Sequence, residues 1–543
     1  MHGSTLGLKK SHLKRLDKIS RRKIKTDQII PFELAHLLTA LSQEIKRQIG
    51  ILVGREGTIH AVIVGDQRQI MIPDLSQLRP GKRQLRGIRL IHTHLKSEAL
   101  SQDDLTDLAL LRLDLIAAIG IQPDGTPGAI FMAHLLPPSP SGKQHEIHPP
   151  KQIHQLEFEL KPFLDALEAE FDLQRDHSHD TGKKNRAILI SASKASRIDQ
   201  EAEVDELSEL VKSAALVPIG QIIQRPKRFN AKYLMGEGKL KEVVINAMQQ
   251  QADLLIFNQN LSPLQIRSIA EVTEMKVLDR TQLILDIFAQ RALTREAKVQ
   301  VELAQLRYRL PRLSQRSTAL SRLTGGIGGR GPGETRLEID LRRARDRIVH
   351  LEREHESLAE ARTLRRQKRT RNQIPIASIV GYTNAGKSTL LNQLTESHVK
   401  TKDLLFATLD TATRRLRFPR EREVILTDTV GFIQSLPPAL LAAFRSTLDE
   451  LRDAHLLIHL ADISNPRLEQ QIQTVETLLK DLGLSETPCL LVLNKIDRVD
   501  TETAQILCKK HRALGITALN PKKLIPLLNT IERDLWKSEN DAP

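Results

Sequence analysis

The stretch IPIASIVGYTNAGKSTLLNQL (374–394) decides the fold. It opens as a short apolar run rich in β-branched residues, passes through a small polar loop, and ends with leucines at helical spacing. That order reads as strand, loop, helix. Gly381, Gly386, Lys387 and Ser388 fit the pattern G-x-x-x-x-G-K-[ST]. Glycines let the loop turn backbone N–H groups toward a phosphate, and the helix N-terminus adds its positive end. The loop positions between them are Tyr382, Thr383, Asn384 and Ala385. Lys387 is expected to reach the β- and γ-phosphates, and the Ser388 hydroxyl to ligate Mg²⁺.

Three further elements follow in the order that a guanine-nucleotide switch requires. VILTDTVGF (424–432) is a strand ending in D-x-x-G: Asp428, Thr429, Val430 and Gly431. Asp428 is expected to hold Mg²⁺, directly or through water, and the Gly431 N–H to sense the γ-phosphate. LLVLNKID (490–497) is an apolar strand ending in N-K-x-D: Asn494, Lys495, Ile496 and Asp497. The Asp497 carboxylate can accept from guanine N1–H and N2–H₂, a donor pair adenine lacks, so it selects GTP. Asn494 is expected to tie this loop to the phosphate loop and guanine N7, and the Lys495 stem to cover the base. ITALN (516–520) is a weaker fifth element, in which the Ala518 N–H would meet guanine O6 between Thr517 and Leu519. LLFATLDTATRRL (404–416) should supply the threonine that completes the Mg²⁺ shell. Thr408 is the choice, within Phe406, Ala407, Thr408, Leu409 and Asp410; Thr411 and Thr413 are alternatives. Catalysis falls to Lys387, Thr408 and Gly431. Phe432 follows Gly431, where Ras-type enzymes place the glutamine that orients the attacking water. Phenylalanine cannot bond that water, so slow intrinsic hydrolysis, raised by a partner, is expected.

At 543 residues the chain needs about three or four domains. Net charge is +15, which points to a polyanionic partner: nucleic acid, or an anionic membrane surface. Aromatics make up only 3%, which argues against a base-stacking surface of exposed rings. Cys489 and Cys508 are the only cysteines, so a disulfide framework is excluded and a reducing cytosol fits. No apolar run reaches the ~18 residues of a membrane span.

The reading along the chain is α/β and multidomain. A basic N-terminal arm (1–28) is expected to be solvated; a transit peptide or a membrane-surface helix, giving peripheral attachment, are the alternatives. An α/β extension (29–137) has strands at 50–54, 59–65, 87–94, 115–121 and 128–136 and a helix over 102–114. A helix (151–171) and linker occupy 138–185. A second α/β segment (186–292) carries strands 187–193 and 254–259 and helices 201–215 and 240–251. Residues 293–372 read as an antiparallel helical pair joined by the glycine-rich loop TGGIGGRGPGE (324–334). Its first helix carries Val301, Leu303, Leu306 and Leu310. Its second has a 4-3 seam of Leu337, Leu341, Ala344, Ile348, Leu351 and Leu358, interrupted by His355. The helix ends in the basic run RRQKRTR (365–371). The nucleotide domain spans 373–535, with a tail at 536–543.

IHTHLKSEALSQDD (91–104) places His92, His94, Ser101 and Asp104 as H-x-H-x₆-S-x-x-D. Two histidines at alternate strand positions plus an aspartate on the next helix can form a zinc site with a position left for water. The pattern and strand order resemble the JAMM metalloproteases, whose spacing has seven residues. The glutamate that this resemblance implies, three residues before Gly50, falls on Arg47. An active hydrolase, an inactive zinc-binding domain and a metal-free docking domain remain open.

The later motifs together resemble the HflX family of the Obg–HflX translational GTPases. GYTNAGKSTL, FATLD, DTVGFI and NKID match in the nucleotide domain, including the phenylalanine after Gly431. RFNAKYLMGEGKLKEV (228–243), LDRTQLILDIFAQRALTREAKVQVELAQL (278–306) and GGIGGRGPGETRLEID (325–340) match before it. The resemblance implies a cytoplasmic GTPase, monomeric when free, that binds the 50S ribosomal subunit and splits or rescues stalled 70S ribosomes. It implies rRNA contact through Gly328, Gly329, Arg330 and Gly331.

Overall fold

The computed structural model describes residues 1–73, 75, 85–137, 143–178, 185–273, 275–323, 336–370, 374–395, 412–418, 422–428, 431–432 and 449–536. They divide into two compact units. One comprises Met1–Arg186, Met235–Asp253 and Ile269–Lys276; the other comprises Ala187–Leu234, Leu254–Ser268 and Val277–Pro543.

The first unit is built on an eight-stranded mixed sheet. Its strands are β1 (His2–Gly3), β2 (Ile49–Gly54), β3 (Ile59–Val64), β4 (Ile88–His94), β5 (Leu115–Ile121), β6 (Pro127–Leu135), β7 (His145–Ile147) and β8 (Lys151–Gln152). Their order is β1-β3-β2-β4-β5-β6-β7, with β8 also on β6. β2, β4 and β5 are buried along their whole length, as their near-continuous apolar runs require of central strands. The helices are α1 (Lys10–Ser20), α2 (Phe32–Ile45), α3 (Gln102–Leu110) and α4 (Leu160–Ser178).

The basic N-terminus is no solvated arm. β1 pairs in parallel with β3, and α1 buries Leu16 and Ile19 completely. The lysines and arginines of α1 hide an apolar stripe on its other face. Ile24 follows, 2% exposed, with its N–H donating to the Gly57 carbonyl at 2.9 Å. The expected helix over 151–171 also differs. Its first residues form β8 and a 3₁₀ turn, and α4 starts only at Leu160.

The second unit holds two sheets. The smaller has the order β10-β9-β11-β12, with β9 (Arg186–Ala192), β10 (Val217–Gln224), β11 (Leu254–Phe257) and β12 (Lys276–Asp279). β9 and β11 run parallel, and α5 (Arg197–Ser213) and α8 (Arg280–Arg291) pack into the same core. Of the helices between these strands, α6 (Glu237–Gln249) belongs to the first unit, and α7 (Pro263–Val272) is divided between the two. β10, β12, α7 and α8 are elements beyond those read from periodicity.

α9 (Arg295–Leu323) and α10 (Arg336–Thr370) run side by side. Val299, Leu303 and Leu306 of α9 meet Ile348, Leu351 and Leu358 of α10. Ion pairs Arg295–Glu354, Arg307–Glu352 and Arg347–Glu302 flank the seam. Val301 departs from the expected seam. With Ala297, Ala304 and Tyr308 it forms a second stripe that joins the core of the small sheet. Residues 324–335 lie outside the described residues, and with them Gly328, Gly329, Arg330 and Gly331.

The larger sheet has six strands in the order β14-β15-β13-β16-β17-β18. They are β13 (Ile376–Gly381), β14 (Ala412–Arg417), β15 (Glu423–Asp428), β16 (Leu456–Asp462), β17 (Cys489–Asn494) and β18 (Leu514–Gly515). β14 is antiparallel and the rest are parallel. Around them lie α11 (Lys387–Thr395), α12 (Leu468–Asp481), α13 (Thr501–His511) and α14 (Ile525–Leu535). This is a P-loop α/β domain. Parallel strands of this kind deliver loop residues to one edge, at their carboxyl ends.

Candidate functional site

The loop from Gly381 to Lys387 leaves the end of β13 at that edge. Its glycines answer local demands. A Cβ on Gly381 would lie 2.1 Å from the Leu460 carbonyl oxygen of β16. Gly386 has φ +96°, and a Cβ there would lie 2.4 Å from the Asn494 side chain. A Cβ on Gly431 would crowd the Thr383 methyl at 2.8 Å and the Lys387 ammonium at 3.0 Å. Gly386 and Gly431 therefore let other motifs close together, and Gly381 lets β16 pass close beside the loop.

Lys387 is buried, and its Nζ donates to the carbonyls of Gly381 (3.1 Å) and Tyr382 (2.8 Å). Burial lowers its pKa to about 8, against the opposing pull of the Asp428 carboxylate. The Ser388 hydroxyl donates to Asp428 Oδ2 at 2.7 Å, which joins the first motif to the end of β15. Asp428 is fully buried, so its charge acts in a low-dielectric setting.

Asn494 links three motifs. Its Nδ2 donates to the Ala385 carbonyl at 2.8 Å, and its Oδ1 accepts from the Ala518 N–H at 2.9 Å. Lys495 takes a left-handed conformation, φ +64°, and donates to the Asn384 carbonyl at 2.9 Å and to Asp462 at 2.7 Å. Asp462, at the end of β16, has no place among the sequence motifs; a carboxylate closing a parallel strand beside N-K-x-D was its only signal. Ile496 follows on the same turn, its N–H donating to the Ile516 carbonyl. Asp497 is exposed at the mouth, whereas Thr517 and Ala518 are buried and Leu519 is 75% exposed.

Two loop residues turn away from the mouth. The Tyr382 hydroxyl donates to Glu206 of α5 at 2.9 Å, so only its backbone faces the site. Glu206 is held in turn by Arg280 at 2.6 Å. Phe432 is 1% exposed and packs into the core shared with α5 and α8. Its carbonyl accepts from the Thr383 N–H at 2.7 Å, and its own N–H donates to the Gly381 carbonyl at 3.1 Å. Behind the loop, His459 is 2% exposed. Burial and the neighbouring Lys387 charge push its pKa down to about 4, so it is neutral at pH 7. Neither Glu206 nor His459 was signalled by any motif.

Phe406, Ala407, Thr408, Leu409, Asp410, Thr411, Thr429 and Val430 lie outside the described residues. Thr413 sits in β14, opposite Thr427.

Three family models match in sequence: "GTP-binding GTPase N-terminal" over 201–289, "GTP-binding GTPase Middle Region" over 291–369, and "50S ribosome-binding GTPase" over 376–495. A GTPase HflX of Caldanaerobacter subterraneus subsp. tengcongensis is 49% identical over 354 residues, 65% of this chain and 81% of that one. The chain belongs to the HflX family. The GTPase HflX of Escherichia coli (strain K12) is 45% identical over 322 residues, covering 59% of this chain and 75% of that one. A GTP-binding protein from Sulfolobus solfataricus, solved in complex with GDP, is 28% identical, with 65% and 99% covered and a TM-score of 0.37. Like HflX relatives, this chain is a GTPase: it binds GTP and hydrolyses it to GDP and phosphate.

Proposed function

We propose that this GTPase associates with the 50S ribosomal subunit and its rRNA, and splits or rescues stalled 70S ribosomes in the cytoplasm. The observation that supports the reading is the match of 376–495, the segment bearing the nucleotide motifs, to the model of 50S ribosome-binding GTPases. A net charge of +15 suits an rRNA partner. Gly328, Gly329, Arg330 and Gly331, three glycines around one arginine in sequence, are assigned to rRNA contact.

In the nucleotide site, backbone N–H groups from Gly381 to Ser388 take the phosphates. The Lys387 ammonium exchanges the two loop carbonyls for β- and γ-phosphate oxygens. Ser388 and Asp428 place hard oxygen donors on adjoining elements, which fits Mg²⁺, with Thr408 as the further ligand. Mg²⁺, when bound, neutralises charge on the phosphate oxygens. Asp497 reads the guanine edge, with the Ala518 N–H at O6 and Thr517 and Leu519 beside it. Ile496, Thr429, Val430 and the stretch Phe406–Asp410 are assigned to nucleotide contact. Gly431 senses the γ-phosphate. Phe432, held in the core, offers the attacking water no hydrogen bond. Intrinsic turnover is therefore slow, and the ribosome supplies or orders the missing group.

Sedimentation of 70S ribosomes with this protein and GTP, or a non-hydrolysable analogue, tests the proposal. The 70S peak should fall as free subunits rise, with the protein on the 50S fraction. Retained 50S binding without separation would assign it to subunit maturation. No association with 50S, or equal GTP turnover with and without ribosomes, would overturn it.

A further inference from the structure

The first unit holds a cluster that the GTPase does not use. β4 is a central strand, between β2 and β5, and carries His92 and His94 two residues apart, hence on one face. His92 is fully buried and His94 is 3% exposed. Their Nε2 atoms lie 2.9 Å apart. Asp104, in the first turn of α3, brings Oδ1 to 3.2 Å from the His92 Nε2 and Oδ2 to 3.5 Å from the His94 Nε2. From these residues we propose a single zinc site with three protein ligands and one coordination position left for solvent.

Spacing is the first support. Tetrahedral zinc with bonds of about 2.0–2.1 Å separates its ligand atoms by about 3.3 Å. The 2.9 Å between the two Nε2 atoms and the 3.2 Å from Asp104 Oδ1 to the His92 Nε2 lie close to that value, and one ligand atom from each residue lies within 4.8 Å of the others.

Tautomer is the second. The His94 Nδ1 lies 2.8 Å from the Glu98 carbonyl, which can only accept, so the proton sits on Nδ1. In the neutral ring Nε2 is then a bare lone pair aimed at the cluster. A histidine that donates its outer nitrogen to a backbone carbonyl is the usual arrangement of a metal ligand. His92 has no such brace, since its Nδ1 finds no hydrogen-bond partner among the described residues.

The ordinary explanation for Asp104 covers only part of it. Asp104 closes a capping box with Ser101, taking the Ser101 N–H and hydroxyl on Oδ2, both at 2.7 Å. Capping leaves Oδ1 unexplained, and that atom lies against the His92 imidazole. Two ring nitrogens and a carboxylate converging in a buried place call for a positive charge between them. Imidazole donors favour a late transition ion over Mg²⁺ or Ca²⁺. A second histidine pair, His134 and His148 at 2.9 Å, has no third ligand among the described residues and is boxed by Phe158 and Phe163.

The test uses the full chain, stripped with a chelator and titrated with ZnCl₂ against a chromophoric competitor. One equivalent should bind. Asp104→Asn keeps a capping side chain, and His94→Gln keeps a polar one. Each should weaken zinc by more than the about 10–100-fold that loss of an outer brace costs. Far-ultraviolet circular dichroism and thermal melting of the same samples, matched to the wild type, report that they are folded. The chain has 18 histidines, so equal binding by the variants would place the zinc elsewhere and overturn the proposal. Absence of uptake by the wild type would overturn it too, leaving a proton as the shared charge. Should the variants fail to fold, cobalt in the wild type decides. Intense visible bands of four-coordinate Co²⁺ are expected, and a pale octahedral spectrum would refute the site.

Discussion

Lys387 is buried with its ammonium against two carbonyls, and burial holds its pKa near 8. Below that pH the empty protein carries a charge it solvates poorly; between about pH 8 and the ordinary lysine value the unfolded chain binds the extra proton, so stability from this group rises with pH there. Triphosphate oxygens reverse the balance and restore the charge. GTP binding should therefore take up protons, from about 0.1 per nucleotide at pH 7 to about 0.8 at pH 8.5. Calorimetry in buffers of different ionisation enthalpy measures this. An uptake that does not rise with pH would count against the assignment of Lys387 to the phosphates. Lys387 itself was legible in the sequence because phosphate chemistry fixes the spacing from Gly381. Its surroundings were not: His459 and Asp462 reach the site from β16, some seventy residues onward, where no spacing rule links them to it.

Elements were legible where period and turn chemistry agreed. β5 has the bounds read from LIAAIGI, because an apolar run between polar turns leaves little choice. α1 was missed because its positive charge outweighed a narrow apolar stripe, and only packing on β3 shows which face matters. The same limit applies to the phosphate loop as an element. Tyr382 read as a nucleotide contact by position, yet its side chain bonds Glu206 of α5, a partner 176 residues away. Tyr382→Phe removes that hydroxyl while Glu206 keeps Arg280. The cost should be about 1 kcal/mol. Thermal melting of the nucleotide-free protein should fall by about 2–4 °C, while GDP affinity changes less than threefold. A tenfold loss of affinity would mean that the ring itself reaches the nucleotide.

Within the second unit the nucleotide domain does not own its whole core. Val380, Phe432, Leu457 and Val475 belong to one continuous cluster with Leu207, Leu210 and Val211 of α5 and with Ile284, Ile287 and Phe288 of α8. Arg467 adds a bond to the Ala202 carbonyl at 2.8 Å. The motif boundary at 373 therefore marks a change of chemistry without marking the edge of a folding unit. Each large apolar side chain uncovered at such a cut forfeits about 1.5–3 kcal/mol, and a few of them approach the about 5–15 kcal/mol that holds a domain folded. A fragment of residues 373–543 should then melt well below the nucleotide domain of the full chain, by about 10 °C or more, and bind GDP more weakly. Differential scanning fluorimetry of the two proteins measures it. Melting within about 2 °C would show that the shared core contributes little, and that α5 and α8 rest on the nucleotide domain without supporting it. The expected outcome carries a functional consequence. Phe432 would then serve the fold by joining α5 and α8 to the loop at Gly381, which is why the position after Gly431 holds a core residue where a water-orienting side chain could otherwise stand.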